Sequence, residues 1–188
     1  MSTDTGAVRV ATTVAIPAGV SVAAPAEMIT VKGPLGVISR PFPGGALSLQ
    51  VQGETATLTL RLPPNRKRAK ALLNTWEAHL RNLIVGVTSG FEARLKVVAA
   101  HFPMRVSVKD SDLLVENFLG EKYPRTAALP PGVTALVEGD IVRLEGIDIE
   151  MVGRCAASIE RTTRIRDYDP RVFQDGIYIV DHPRPKEA

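Results

Sequence analysis

The sequence ITVKGPLG at residues 29–36 occurs again in altered form as LLVENFLG at residues 113–120, 84 residues later. Two further stretches also occur twice. Residues 16–22 (IPAGVSV) resemble residues 102–108 (FPMRVSV), and the turn sequence PGG at residues 43–45 is matched by PPG at 130–132. An offset that stays near 84–87 residues indicates an internal duplication. The sequence therefore predicts two copies of one structural unit, joined around residues 90–100.

Each copy is predicted to contain paired strands. Residues 47–51 and 58–62 alternate apolar and polar side chains on either side of a turn at Gly53-Glu54. In the second copy, residues 133–137 and 141–144 flank the turn sequence EGD at residues 138–140. The sequence GPLG at residues 33–36 is also interpreted as a turn between strands, since no helix follows it that would bind phosphate.

One helix is predicted to follow the paired strands in each copy. Apolar residues then recur every three or four positions, which is the spacing of one face of a helix. In the first copy these residues are Ala69, Leu72, Leu73, Trp76, Leu80, Leu83 and Ile84. In the second copy they are Val152, Cys155, Ala156 and Ile159, with Asp148 as the predicted N-cap.

The predicted fold class is therefore α+β, with two tandem similar domains, each an antiparallel-rich sheet with one packed helix. The N-terminal domain is predicted over residues 14–88 and the C-terminal domain over residues 89–180. Residues 1–13 are expected to be a flexible N-terminus and residues 181–188 a tail.

The composition allows an aliphatic core and an anionic partner. Apolar residues make up 45% of the chain, whereas aromatic residues make up only 5%. Lysine and arginine exceed aspartate and glutamate by three, and the sequence pI is about 9.2. The N-terminus lacks the pattern of a secretion signal, and no apolar stretch approaches the roughly 20 residues of a membrane span. We therefore expect a soluble, cytoplasmic protein with no membrane partner.

The residues that carry enzyme chemistry are scattered. His79, His101 and His182 lack the spacing of metal ligands, and the single cysteine, Cys155, lies on the apolar face of the second predicted helix. That cysteine is interpreted as a small core residue, and a lone cysteine excludes an intramolecular disulfide. The chain has no Gly-x-Ser-x-Gly, P-loop or Gly-x-Gly-x-x-Gly motif. The sequence thus predicts no catalytic residue, no metal, no cofactor and no small-molecule substrate.

Two basic stretches point to a polyanion instead. Residues 61–70 (RLPPNRKRAK) hold five cations and no acid. The cations at the start of the first helix are Arg66, Lys67, Arg68 and Lys70. Positive charge is disfavoured at a helix N-terminus, so this placement favours an outside partner such as RNA phosphate. A solvated loop is the alternative interpretation.

The second basic stretch comprises the second predicted helix and the residues after it. Arg154 and Arg161 are seven positions apart and therefore share a helical face, and Tyr168 lies among the cations that follow, which are Arg164, Arg166 and Arg171. Arginine suits bidentate phosphate contacts and base stacking. Gly153 and Ala157 leave a bare strip on the helix, either for an approaching RNA backbone or for tight packing on the sheet. The acidic residues of this region, Asp167, Asp169 and Asp175, dilute its charge.

Four motifs resemble a known family. They are GVTSGF at residues 86–91 with AHFP at 100–103, NFLGEK at 117–122, DIEMVG at 148–153 with the alanines and Ile159-Glu160 after it, and residues 169–178 (DPRVFQDGIY). In this order they resemble the large-subunit ribosomal proteins of the bacterial "protein six" and eukaryotic "protein nine" family. FQDG at residues 173–176 stands where bacterial members carry a Pro-rich, Lys/Gly-rich ending, and the low lysine content favours the archaeal type.

The resemblance implies two similar α+β domains in a structural constituent of the large ribosomal subunit. The implied partners are large-subunit rRNA, near the sarcin–ricin loop and the base of the factor-recruiting stalk, and the neighbouring ribosomal proteins. It places most RNA binding on the second helix and the tail after it, with Lys122, Tyr123 and Arg125 as weaker candidates on a loop. The competing hypothesis is a two-domain protein–protein adaptor whose basic surface is incidental.

Overall fold

The computed structural model describes residues 8–24, 28–43, 47–62, 66–169 and 171–186. The chain divides into two compact units between Thr88 and Ser89. Each unit has its own antiparallel sheets and its own helix.

Unit 1 consists of strands followed by one long helix. The strands are β1 (Val8–Ala15), β2 (Ser21–Ala23), β3 (Met28–Gly33), β4 (Gly36–Pro41), β5 (Leu47–Gln52) and β6 (Thr55–Leu62). The helix α1 (Arg66–Thr88) ends the unit. The strands form two antiparallel sheets with the orders β1-β6-β5 and β2-β3-β4.

Unit 2 has the same sequence of elements and one more strand. Its strands are β7 (Phe91–Val98), β8 (Arg105–Lys109), β9 (Asp112–Glu116), β10 (Arg125–Ala128), β11 (Val133–Glu138), β12 (Ile141–Gly146) and β13 (Gly176–Pro185). The helix α2 (Ile149–Thr162) lies between β12 and β13. The antiparallel sheets have the orders β11-β12-β7-β13 and β10-β9-β8.

The strand orders confirm the predicted duplication. The order β5-β6-β1 in unit 1 corresponds to β11-β12-β7 in unit 2, and β2-β3-β4 corresponds to β8-β9-β10. The quoted sequence at residues 29–36 forms the β3–β4 hairpin, as predicted. Its counterpart at residues 113–120 continues from β9 into a 3-10 turn (Phe118–Gly120) instead of a second strand. The fold is α+β in two tandem similar units.

Each helix buries its predicted apolar face, with one exception. In α1 the buried residues of that face are Leu73, Trp76, Leu80, Leu83 and Ile84, and in α2 they are Val152, Cys155, Ala156 and Ile159. Leu72 was predicted on the buried face but is 38% exposed, because it lies at the edge of the stripe. The side chain of Ala69 lies outside the described residues. Neither α1 nor α2 combines the length and the apolar character that a membrane-spanning helix requires.

The element boundaries differ from the predicted ones at three places. Strand β1 begins at Val8, inside the segment expected to be flexible, and β13 continues to Pro185, beyond the predicted end at residue 180. Residues 90–100, predicted to join the two copies, contain β7, which pairs with β12 on one side and β13 on the other. Strand β7 is therefore an interior strand of the four-stranded sheet of unit 2. The predicted turn at residues 44–45 lies outside the described residues.

Candidate nucleic-acid interface

The C-terminal end of α2 is tied to β13 by side chains. Thr163 is buried, and its Oγ1 accepts a hydrogen bond from the backbone N–H of Ile177 at 2.9 Å. Glu160 Oε1 accepts from the N–H of Ile179 at 3.1 Å. At the other end, Asp148 caps α2 by accepting from the N–H of Glu150 at 2.9 Å, as predicted. Side-chain hydrogen bonds thus fix both ends of the helix that carries Arg154 and Arg161.

Three predicted arginines come together at this helix end, one in the last turn of α2 and two on the segment after it. Arg161, Arg164 and Arg166 are exposed and border one depression of about 500 Å³. The other lining residues are Pro124, Arg125, Thr126 and Thr162. Like charges held close together repel each other, and a bound anion would relieve that repulsion. Among the described residues that line the depression, four are arginines and none is acidic.

Arg125 has an internal role that the sequence did not indicate. One guanidinium nitrogen donates to the carbonyl oxygens of Thr162 at 2.8 Å and Arg164 at 3.1 Å. The other two nitrogens donate to the Glu121 carboxylate at 2.8 and 2.6 Å, and the guanidinium carbon lies 4.2 Å from the centre of the Phe118 ring. The hydrogen bonds from Arg125 lower the pKa of Glu121 despite the opposing effect of burial. Arg125 therefore holds the backbone that carries Arg164 in place.

Arg154 borders a different and smaller cavity of about 180 Å³, together with Ala128, Pro130, Cys155 and Ser158. Arg154 and Arg161 are both exposed on α2, but the structure does not bring them to the same depression. Cys155 is 1% exposed, and burial raises the pKa of its thiol to about 11. The thiol is therefore protonated at neutral pH, in agreement with the predicted core role.

The bare strip on α2 is only partly open. A β-carbon added to Gly153 would lie 3.5 Å from Cγ of Pro183 on β13, which is ordinary van der Waals contact. Ala157 is half-buried and lines a cleft beside β13. For Gly153 the structure favours the alternative interpretation, in which the small residue serves packing between helix and strand.

A row of three rings lies beside the arginines. The ring centres of Tyr168 and Phe173 are 4.9 Å apart, and those of Phe173 and His101 are 4.7 Å apart. Asp175 fixes the far end of the row, because its carboxylate contacts Nδ1 of His101 at 2.7 Å and accepts from the His101 N–H at 2.9 Å. Tyr168 is half exposed at the near end.

Asp175 differs from its predicted role as a diluting surface charge, since it is only 2% exposed. Burial acts to raise the pKa of its carboxyl, but hydrogen bonds from His101 and from the backbone of Ala100 outweigh it and lower the pKa. The sequence could not indicate this pairing because the two residues are 74 positions apart. Phe173 was likewise missed as a site residue, although it lies within a motif of the family resemblance.

The remaining predicted residues of unit 2 are exposed. Arg171 follows a turn in which its N–H donates to Asp169 Oδ1 at 2.9 Å. Lys122 and Tyr123 lie on the loop before β10, and Tyr123 is 77% exposed. These three residues are available at the surface, but none of them lines the depression at the end of α2.

The basic patch of unit 1 lies at the start of α1. Lys67, Arg68 and Lys70 are exposed there, and the first turn of the helix contains no acid. The side chain of Arg66 and residues 63–65 lie outside the described residues. Across the described part of the chain, no group of three or more potential ligands is placed to hold a metal ion.

Comparison with known protein families shows the family to which the chain belongs. The family model described as Ribosomal protein L6 matches residues 16–90 and residues 102–176, which together make up more than half of the chain. The chain belongs to the ribosomal protein L6 family.

Its relatives within the L6 family include archaeal proteins named large ribosomal subunit protein uL6. The chain is 44% identical to that of Methanosarcina mazei over 173 residues, which are 92% of this chain and 97% of the relative. It is 45% identical to that of Methanospirillum hungatei over 167 residues, covering 89% of this chain and 94% of the relative. The protein of Ignicoccus hospitalis is 44% identical over 177 residues, with coverages of 92% and 95%.

Membership of the L6 family confirms the resemblance that the four motifs indicated, including its archaeal character. It also confirms the tandem repeat, because the family model matches once in each unit. The L6 family is a family of ribosomal proteins and not of enzymes, as the sequence predicted. Strands β7 and β13 lie outside the matched segments, apart from Gly176 at the start of β13.

Proposed function

We propose that this L6-family chain is a structural constituent of the large ribosomal subunit in the cytoplasm and binds rRNA mainly through unit 2. The observation that carries the proposal is the depression bordered by Arg161, Arg164 and Arg166. Among the described residues that line it, none is acidic. The RNA partner is the region near the sarcin–ricin loop and the base of the factor-recruiting stalk, as the family resemblance implies, together with neighbouring ribosomal proteins.

The chemistry of the depression suits an RNA backbone. A guanidinium presents a planar fork of donors that matches two phosphate oxygens, and its charge does not depend on pH in the physiological range. Three such groups around one concave surface favour consecutive phosphates over a single carboxylate. Each phosphate contact releases counterions, so the affinity is expected to depend steeply on salt.

Other predicted residues extend this surface. Arg154 lies two turns back on α2, and Arg171 and Tyr168 follow on the segment before β13. Lys122 and Tyr123 lie on the loop before β10 and add to the surface there. Of the two small residues predicted on α2, Ala157 is kept in the proposed surface, whereas Gly153 is assigned to packing against Pro183. The exposed cations at the start of α1 form a secondary basic patch in unit 1, with a smaller expected contribution.

The test uses the full chain and two variants that each lose three positive charges. The first replaces Arg161, Arg164 and Arg166 with Gln, and the matched control replaces Lys67, Arg68 and Lys70 with Gln. Each is titrated at several salt concentrations against an rRNA transcript containing the sarcin–ricin region. Since the slope changes by roughly 0.7–0.9 for each phosphate that the protein no longer neutralises, the first variant is expected to lower the slope by about two. The control is expected to lower it by less than about one.

Two outcomes contradict the proposal. If the control variant loses as much affinity and slope as the first, the principal RNA surface belongs to unit 1. If the unaltered chain binds an unrelated duplex of equal length as tightly as the transcript, the proposed location near the sarcin–ricin loop is wrong. The adaptor hypothesis instead predicts weak RNA binding in every case and retention by a ribosomal protein after RNase digestion.

A further inference from the structure

A second cleft lies next to the arginine depression, between the C-terminal end of α2 and β13. Its volume is about 550 Å³. Phe173 and Tyr178 are its aromatic residues and Ile165 adds apolar surface, while Arg161 and Arg164 also line it. Pockets of roughly 300–1,000 Å³ with apolar walls and a few polar groups are typical of small-ligand sites. The cleft therefore combines two aromatic rings with two arginines that also line the neighbouring depression.

Both aromatic rings are held in place by the protein. Tyr178 donates through its hydroxyl to the Gln174 carbonyl at 3.2 Å. Its ring lies over Gly176, where an added β-carbon would come within 3.2 Å of two ring carbons and the hydroxyl oxygen of Tyr178. Phe173 is held in the ring row between Tyr168 and His101. Rings fixed before binding lose little conformational entropy when a ligand arrives.

We propose that this cleft receives the base of one unpaired nucleotide of the bound RNA, whose phosphate lies against Arg161 and Arg164. This proposal rests on the proposed function. Bases present flat π faces that stack on aromatic side chains, and single-stranded nucleotides are the usual targets of such surfaces. Because the two arginines line both the cleft and the neighbouring depression, one continuous RNA backbone reaches from one to the other.

Glu160 gives the cleft a hydrogen-bond acceptor. Its Oε1 is engaged by the N–H of Ile179, and a carboxylate has a second oxygen that accepts hydrogen bonds. Carboxylates accept from the exocyclic amino groups of bases. The cleft therefore favours a base that carries an amino group. The negative charge of Glu160 would repel a free carboxylate ligand or an acidic peptide. A base whose amino group is directed inward would instead donate a hydrogen bond to Glu160.

The experiment compares two RNA hairpins cut from the same rRNA region. One contains a single unpaired 2-aminopurine, which has an exocyclic amino group and loses fluorescence when it stacks, and the other is fully paired. On binding the full chain, the fluorescence of the unpaired hairpin is expected to fall. Phe173→Leu and Tyr178→Leu are expected to weaken binding of that hairpin on the order of tenfold, without changing the salt slope.

Three controls keep the result interpretable. Tyr178→Phe retains the ring and is expected to retain quenching even if Tyr178→Leu disturbs the fold. Phe102→Leu removes a ring that is 40% exposed and does not line the cleft, so it is expected to leave binding unchanged. The paired hairpin is expected to bind the Leu variants and the unaltered chain equally.

The outcomes separate this proposal from the proposed function. If the unaltered chain binds both hairpins equally and the 2-aminopurine signal does not change, the base-binding cleft is wrong while RNA binding stands. If neither hairpin nor the longer transcript binds, both proposals fail. If adenosine monophosphate displaces the unpaired hairpin at equal concentration, the cleft is a site for free nucleotides and the proposal is overturned.

Discussion

At the scale of single residues, Arg125 lines the arginine depression but directs most of its donors to other groups of unit 2. The family resemblance implied it as a weaker RNA-binding residue on a loop, whereas the structure places it at the start of β10. In the structure its five donors are largely used inside unit 2, on Glu121 and on the carbonyls of Thr162 and Arg164. Arginine is suited to this because its planar fork reaches several acceptors at once. We infer that Arg125 is a positioning residue.

Replacing this side chain tests that role. Arg125→Leu is expected to lower the free energy of unfolding of unit 2 by about 2 kcal/mol, because two carbonyls and a carboxylate lose a charged donor. Urea unfolding measures this change in stability, and the intrinsic fluorescence of the chain reports on the two units separately. All three tyrosines lie in unit 2 and the single tryptophan, Trp76, lies in unit 1, so tyrosine and tryptophan signals follow the two units separately.

Arg105→Gln is the matched control, since Arg105 is exposed on β8, and it is expected to change stability by less than about 0.5 kcal/mol. A direct phosphate contact by Arg125 would give a different result. The Arg125→Leu variant would then keep its stability, and the salt slope of RNA binding would fall by about one.

At the scale of secondary-structure elements, the internal order of each repeat could be predicted from the sequence because its signals are local. Turns such as Gly53-Glu54 and the apolar stripe of α2 depend on residues close together in the chain. Strands β7 and β13 were missed because they pair with partners far away in sequence. Strand β13 also contains Pro183 and Pro185, which argue against a strand except at a sheet edge, and that is where it lies.

The candidate site was predictable to a similar extent. Arg161, Arg164 and Arg166 follow one another closely, so their clustering could be expected from the sequence. The cleft could not, because it needs Tyr178 from β13 next to Arg161 from α2. The pairing of His101 with Asp175 likewise depends on a contact between distant segments, and no local pattern indicates it.

Gly153 on α2 offers a test between the two interpretations of the bare strip. An alanine there would meet only Pro183 at an ordinary contact distance, and alanine favours a helix over glycine. Gly153→Ala is therefore expected to stabilise unit 2 by about 0.5–1 kcal/mol and to leave RNA affinity unchanged. Tyrosine-detected urea unfolding and RNA titration measure the two quantities. A gain in stability accompanied by a clear loss of RNA affinity would show that an RNA backbone approaches the helix at this position.

At the scale of the whole molecule, the two units differ in helix length and in the number of strands, although they share the rest of their topology. Unit 1 covers its sheets with a helix of 23 residues and, among the described residues, has no strand beyond β1. Unit 2 has a helix of only 14 residues and adds β13 next to β7. The added strand also supplies Tyr178 to the cleft. Unit 2 thus combines a shorter helix with an extra edge strand.

This comparison predicts different consequences of truncation for the two units. Deleting residues 176–188 removes Ile177, which is fully buried, and leaves Thr163 and Glu160 without the N–H donors of β13. It also removes the hydrogen bond from the Lys186 N–H to the Gly90 carbonyl and the ion pair between Lys186 and Glu145. Because β7 then loses one of its two neighbours, we expect unit 2 to unfold.

Unit 1 is expected to survive the same deletion, since it has its own sheets and helix and Trp76 packs at 5.1 Å against Phe42 inside it. Hydrogen exchange followed by mass spectrometry distinguishes the units. Peptides covering β12 should lose their protection, while peptides covering β6 keep theirs and the Trp76 unfolding transition stays in place. A milder variant, Ile177→Ala, should lower the protection of the β12 peptides by less than the deletion does, and leave the β6 peptides and the Trp76 transition unchanged. Protection retained in β12 after the deletion would contradict this expectation, because it would mean that α2 and the three remaining strands of the sheet fold without β13.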